Sequence, residues 1–196
     1  MKKTTFAMAA LAALALAGSA QAQSTLPLSF EGRVGAVLPS GDWGELAKTG
    51  VGLNGNVTFN VTPVLGIYGG YTYNRFGVDD ELGDTDGANF TEQGFDVGLK
   101  ARFAGPTGMG ATPFFRGGAI FHKIGVSDDE LSVSGDYKLG FDVGGGVEIP
   151  VSPRIMLTPQ VGYSQFNPGD DDDLEPGEEE INVSNIHLAV GVSIRL

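Results

Sequence analysis

Residues 185–196 read Asn185-Ile186-His187-Leu188-Ala189-Val190-Gly191-Val192-Ser193-Ile194-Arg195-Leu196. Ile186, Leu188, Val190, Val192, Ile194 and Leu196 share one parity, while His187, Ala189, Gly191, Ser193 and Arg195 take the other. That period of two belongs to a strand with one apolar and one polar face. A tilted strand of about ten residues is also long enough to cross a bilayer. So apolar a strand cannot be left as an open edge in water or lipid, so its backbone must be paired on both sides. The first strand is the expected second partner, which makes the sheet close on itself.

Working outward from this strand, seven more period-two segments can be marked: Leu28–Leu38, Val51–Val61, Leu65–Tyr73, Gln93–Phe103, Thr112–Ile124, Tyr137–Ile149 and Arg154–Gln165. Their connections sort by length. Val61-Thr62-Pro63-Val64, Pro150-Val151-Ser152-Pro153 and the stretch 104–111 are short, uncharged and rich in turn residues. The other four are longer and acidic. The first holds Trp43 with Asp42 and Glu45, and the second Asp79, Asp80, Glu81, Asp84 and Asp86. The third carries Asp128, Asp129, Glu130 and Asp136, and the fourth Asp170, Asp171, Asp172, Asp173, Glu175, Glu178, Glu179 and Glu180. Nineteen of the 24 acidic residues are thereby expected at one end. Short turns at one end and long loops at the other predict an all-β, eight-stranded antiparallel up-and-down transmembrane β-barrel.

The chain begins Met1-Lys2-Lys3, runs apolar from Phe6 to Ala17 and reaches Ala20-Gln21-Ala22. This is the pattern of a cleaved signal peptide, predicted over 1–22, with the barrel domain over 23–196. The apolar run is too short for a membrane-spanning helix. Cysteine is absent, so there is neither a disulfide framework nor a thiolate metal site. The formal charge of −12, more negative still without Lys2 and Lys3, argues against nucleic acid as a partner. The 31 glycines suit a tightly curved sheet.

Alternation alone does not say which face meets lipid, because a soluble barrel hides its apolar parity inside. The polar parity carries Glu31, Arg33, Asp96, Lys100, Arg102, Arg116, Asp142, Glu148 and Arg195, with His122, Asn54, Asn56 and Gln160, among many glycines. Long, nearly balanced charges beside bare glycines suit a cramped lumen in which they neutralise one another. On the apolar parity, aromatic residues fall near the segment ends. Phe30, Phe59, Phe103 and Phe115 lie toward the short turns, and Tyr71, Tyr73, Phe121 and Tyr163 toward the long loops, as in the two girdles of a membrane barrel.

With Ala20-Gln21-Ala22, turns such as Asn60-Val61-Thr62-Pro63 and the closing strand Ile186 to Leu196, the chain resembles the small eight-stranded outer-membrane barrels of the OmpA/OmpX type and the wider porin-like, opacity-type family. The resemblance implies location in the outer membrane of a Gram-negative-type bacterium. Members usually end in an aromatic residue, where this sequence has Leu196. No periplasmic domain is expected after the barrel, so the peptidoglycan anchoring of longer relatives is not implied.

Three motifs invite sharper readings. Gly50-Val51-Gly52-Leu53-Asn54-Gly55 matches a dinucleotide fingerprint in letters but precedes no helical pattern, and reads as a strand. The two histidines, His122 and His187, fall on the lumen parity; Ser184 lies three residues from His187 and points to the opposite face, so both are expected as hydrogen-bonded lumen side chains rather than catalytic bases. The acidic run with Asp170, Asp171, Asp172, Asp173, Glu178, Glu179 and Glu180 offers oxygen ligands to divalent cations, but no defined metal site follows. Asp84-Thr85-Asp86-Gly87 comes close to a calcium loop but lacks its first ligand and its closing glutamate.

The sequence therefore predicts a monomeric outer-membrane barrel without cofactor or catalysis, serving a structural or surface-interaction role. Its expected partners are membrane lipids, with divalent cations and lipopolysaccharide at the acidic loops. The alternatives are a narrow channel or entry route for small solutes, and a soluble periplasmic lipid-binding barrel if the two faces are exchanged.

Overall fold

The computed structural model describes residues 27–77, 89–103, 105, 110–127, 132–169 and 182–196. The expected signal peptide and the acidic runs within 79–86, 128–130 and 170–180 lie outside the described residues. Nine strands follow in order: β1 (Leu28–Ser40), β2 (Gly50–Asn60), β3 (Leu65–Gly77), β4 (Asn89–Arg102), β5 (Thr112–Ser127), β6 (Ser132–Ser134), β7 (Lys138–Pro150), β8 (Ile155–Phe166) and β9 (Val183–Arg195). A single turn of helix, α1 (Trp43–Leu46), stands between β1 and β2.

Apart from β6, which pairs only with the loop end of β5, each strand is hydrogen-bonded to its neighbours in sequence, all antiparallel. The ring closes between β1 and β9, where Val34 faces Val190 and Arg33 faces Gly191. No backbone edge is left in the barrel wall, as a membrane requires. The shortest barrel strand has 11 residues and the longest 16. At about 3.3 Å per residue and a tilt near 45°, even 11 residues cover an apolar band of about 25 Å.

The faces are decided by what is exposed. Val34 is 54% exposed, Leu53 55%, Phe95 54% and Leu139 64%, and outward neighbours on every barrel strand are apolar in the same way. Glu31, Asp96, Lys100, Arg102, Arg116, Asp142 and Glu148 are buried. An apolar belt of this extent around the barrel does not stand in water. The inverted, soluble-barrel reading thereby fails.

Several strands run two to four residues past their sequence-read ends, all on the loop side: β1 to Ser40, β3 to Gly77, β4 from Asn89 and β5 to Ser127. Above the lipid the outward face need not be apolar, so the alternation fades while the backbone ladder continues. Inside, two glycines are demanded by their neighbours. A Cβ at Gly98 would lie 2.6 Å from Tyr68 Oη, and one at Gly94 would collide with the His122 ring and the Phe121 carbonyl. These bare positions make room for the large side chain on the next strand.

Candidate functional site

Among the described residues the interior of the fold is the lumen, and its side chains form three layers. At the short-turn end, Glu148 is 1% exposed and gathers three cations. Lys100 Nζ lies 2.8 Å from one carboxylate oxygen, Arg102 Nε 2.9 Å from the other, and Arg195 Nη2 donates to Glu148 at 3.0 Å. Arg102 also donates to Asn60 Oδ1 at 2.7 Å. Lys100 bridges onward to Glu31 at 3.2 Å and sits 4.1 Å from the centre of the Phe114 ring. Glu31 accepts from Gln160 Nε2 at 3.2 Å and faces Arg33 Nε at 3.5 Å.

The middle layer joins two networks. Arg33 donates to Gln160 Oε1 at 2.8 Å and to Asn54 Oδ1 through both Nε and Nη2. Asn54 donates to Thr72 at 2.7 Å and to Asp96 at 2.9 Å, and Thr72 donates to the same Asp96 oxygen at 2.6 Å. Opposite, Arg116 pairs with Asp142 at 2.6 Å and lies 4.7 Å over the Tyr68 ring, while Tyr68 Oη donates to Asp142 at 2.9 Å. A cavity of about 70 Å³ remains beside Arg33, Asn54, Asp96, Arg116 and His187. It has room for a few waters but not for a solute of drug size.

In the third layer, His122 lies between two carboxylates, with Nδ1 2.6 Å from Glu92 and Nε2 2.8 Å from Asp96. Glu92, fully buried, also accepts from Asn74 at 3.1 Å and Asn185 at 2.8 Å. His187 pairs with Ser164 on β8 at 2.8 Å, not with Ser184, whose hydroxyl lies against the outward-facing Tyr163. Above this layer the polar lumen ends in an apolar plug of Val37, Trp43, Ala47, Phe76, Ile120, Phe166 and Val183, with Leu46, Phe90 and Ile124 packed against it. The Trp43 ring meets Phe76 and Phe90 edge-on, at 6.0 and 5.1 Å between centroids. Helix α1 positions it: Gly41, at φ 63°, turns the chain, its carbonyl accepts from the Gly44 N–H at 2.8 Å, and the helix folds inward over the mouth. The opposite mouth is open, a cleft of about 540 Å³ between the short turns beside Arg102, Arg154 and Arg195.

All nine charges singled out in the sequence stand in this lumen: Glu31, Arg33, Asp96, Lys100, Arg102, Arg116, Asp142, Glu148 and Arg195, with Arg195 at the rim and its side chain 45% exposed. Sequence reasoning missed Glu92, the fifth lumen acid, because the segment holding it was started at Gln93. It missed the plug because α1 acts through tertiary contact, lying against β1 and β9 with Trp43 on Phe76 of β3 and Phe90 of β4. The weak metal candidates Asp170 to Asp173 and Glu178 to Glu180 lie outside the described residues. Among the described residues no group of three or more His, Cys, Asp or Glu is arranged to hold a metal ion.

A closed antiparallel barrel with an apolar outer wall and a charge-filled lumen defines an integral outer-membrane β-barrel protein. The family model described as "Outer membrane protein beta-barrel domain" matches residues 8–193, and the chain belongs to that family. Its place is the outer membrane of a Gram-negative-type bacterium. Among solved structures, Neisserial surface protein A is similar at 14% identity and a TM-score of 0.65, covering 89% of this chain and 100% of its own. Ail, the attachment invasion locus protein of Yersinia pestis, is similar at 16% identity and 0.55, covering 86% and 97%. The outer membrane protein OprG of Pseudomonas aeruginosa is similar at 14% identity and 0.53, covering 89% and 99%. At these identities the likeness is one of fold. No curated protein sequence matches the chain.

Proposed function

We propose that this protein is a sealed, monomeric barrel that acts as a structural and surface-interaction element, holding acidic loops outside the membrane, and that it neither conducts solutes nor performs catalysis. The observation that carries this reading is the double closure of the lumen. Ion-paired side chains bridge it at two levels, and the plug around Trp43 covers the loop-side mouth. Buried ion pairs resist opening because separating them leaves charges uncompensated. Divalent cations are the natural partners of the acidic loops, screening carboxylates against one another and linking them to lipopolysaccharide phosphates.

The name of one structural neighbour, an attachment invasion locus protein, is compatible with a surface role, and the fold likeness extends no further than that. The competing reading is a narrow channel, and the 70 Å³ cavity with the open short-turn mouth is the observation in its favour. Planar-bilayer recording separates the two. The native protein is expected to give no steady conductance, with small openings when Arg116 or Asp142 is truncated to alanine. Stable ion-selective channels from the native chain would establish transport instead.

A further inference from the structure

On the outward positions of the eight barrel strands, among the described residues, only two side chains carry charge. Both are cations, Arg75 on β3 and Lys123 on β5. Both stand at the loop end, just above the aromatic girdle, on the two strands that flank β4. Arg75 lies opposite Thr91, and Lys123 lies opposite Gln93. Two strand spacings across and two residues along β4 separate their backbones, about 12 Å, so two long side chains can converge over β4. Neither makes an ion pair with a described residue, and Lys123 Nζ sits 5.1 Å from the centre of the Tyr137 ring.

The ground between the cations is polar where the rest of the wall is apolar. Gln93 Oε1 accepts from Tyr71 Oη at 2.9 Å, which leaves the amide N–H groups of Gln93 to face outward. Beside it run the rings of Tyr71, Phe95 and Tyr137, the first pair edge-on and the second tilted, at 5.2 and 6.2 Å between centroids. Toward the loop-side ends of other strands the outward residues are apolar, among them Val51, opposite Arg75, and Leu139 and Ile186. Cations seated above a girdle lie at headgroup depth, where they attract anionic lipid and pay little for their position. Amide and hydroxyl groups beside exposed tyrosine rings add the contacts that a sugar takes.

We infer that Arg75, Lys123 and Gln93, on the β3–β4–β5 wall, form a binding site for a phosphorylated glycolipid of the outer leaflet. The two cations take the phosphate, and Thr91, Gln93 and the tyrosine rings take the sugar. The site lies on the lipid-facing wall and does not depend on whether the lumen is sealed.

The test uses the full-length protein in phosphatidylcholine nanodiscs containing a minor fraction of diphosphorylated lipid A, with retained lipid counted by native mass spectrometry after transfer to detergent. The native protein is expected to retain lipid A, and Arg75→Gln with Lys123→Gln to reduce retention about tenfold or more, as loss of two headgroup contacts implies. Arg75→Lys should restore most of the retention lost in Arg75→Gln, and Arg154→Gln at the opposite rim should leave it unchanged. Gel mobility before and after heating verifies that every variant is folded. Equal retention by the native and double-variant proteins overturns the site. Equal retention of phosphatidylglycerol, or displacement of lipid A by millimolar inorganic phosphate, overturns the glycolipid assignment.

Discussion

Removing the carboxylate of Glu148 tests how the lumen is held. Its three cations do not lose equally. Arg195 has a side chain 45% exposed and falls back on water at little cost. Lys100 keeps Glu31 at 3.2 Å. Arg102, 8% exposed, keeps only Asn60 and becomes the orphan. Breaking a buried pair by deleting one partner costs about 3–5 kcal/mol. With one orphan and the open cleft beside it, Glu148→Ala should sit near the low end, about 3 kcal/mol. Glu148→Leu combined with Arg102→Met removes both charges and should recover most of that loss, because the remaining Lys100–Glu31 pair is intact. The assay is reversible urea unfolding in lipid vesicles, followed by heat-dependent gel mobility and far-ultraviolet circular dichroism. A Glu148→Ala barrel as stable as the native one, or a double variant destabilised by the sum of the single effects, would refute the argument that Glu148 holds the lower lumen through Arg102.

Further outcomes follow from other parts of the molecule. Val190 is 49% exposed on the lipid face, so Val190→Arg should cost about 2–4 kcal/mol near mid-bilayer and reduce insertion, while Val190→Leu should be silent in the same unfolding assay. Gly98→Ala places a methyl 2.6 Å from Tyr68 Oη and should break the Tyr68–Asp142 hydrogen bond, at a cost of about 1–3 kcal/mol; an unchanged urea midpoint would contradict this packing. Trp43 is the sole tryptophan and is 4% exposed, so the folded protein should emit at short wavelength and resist iodide quenching, both features being lost on unfolding. Added calcium should slow proteolysis within residues 170–181; identical digestion with and without EDTA would count against divalent cations as loop partners.

The barrel was legible because a membrane wall imposes period two on every strand, and β9 obeys it with almost no exceptions. The faces were legible from charge type, since arginines and carboxylates beside glycines fit no lipid-facing surface. What parity cannot supply is register, and register decides partners. Glu148, Arg33 and Arg195 share the lumen parity in the sequence, but only the fold assigns Lys100, Arg102 and Arg195 to Glu148 and gives Arg33 to Asn54 and Gln160. The two carboxylates at His122 come from the neighbouring strand β4, a pairing that parity along β5 does not show. Asn74, Phe76 and Glu92 fell beyond the segment ends because strands persist above the lipid after their outward apolar signal stops. The plug rests on Trp43 in a four-residue helix, too short to leave a periodic pattern.

The account rests on one claim, that the polar parity faces a lumen sealed by its own side chains while the apolar parity faces lipid. The chain contains no cysteine, so single cysteines along β9 report this directly. In urea-washed outer-membrane vesicles, cysteines at positions 186, 188, 190 and 192 should react with a membrane-partitioning maleimide. Those at 187 and 189, which line the central cavity, should resist both that reagent and a water-soluble one. Rapid labelling at 187 and 189 by the water-soluble reagent would contradict the seal, and labelling there by the membrane-partitioning reagent would invert the faces.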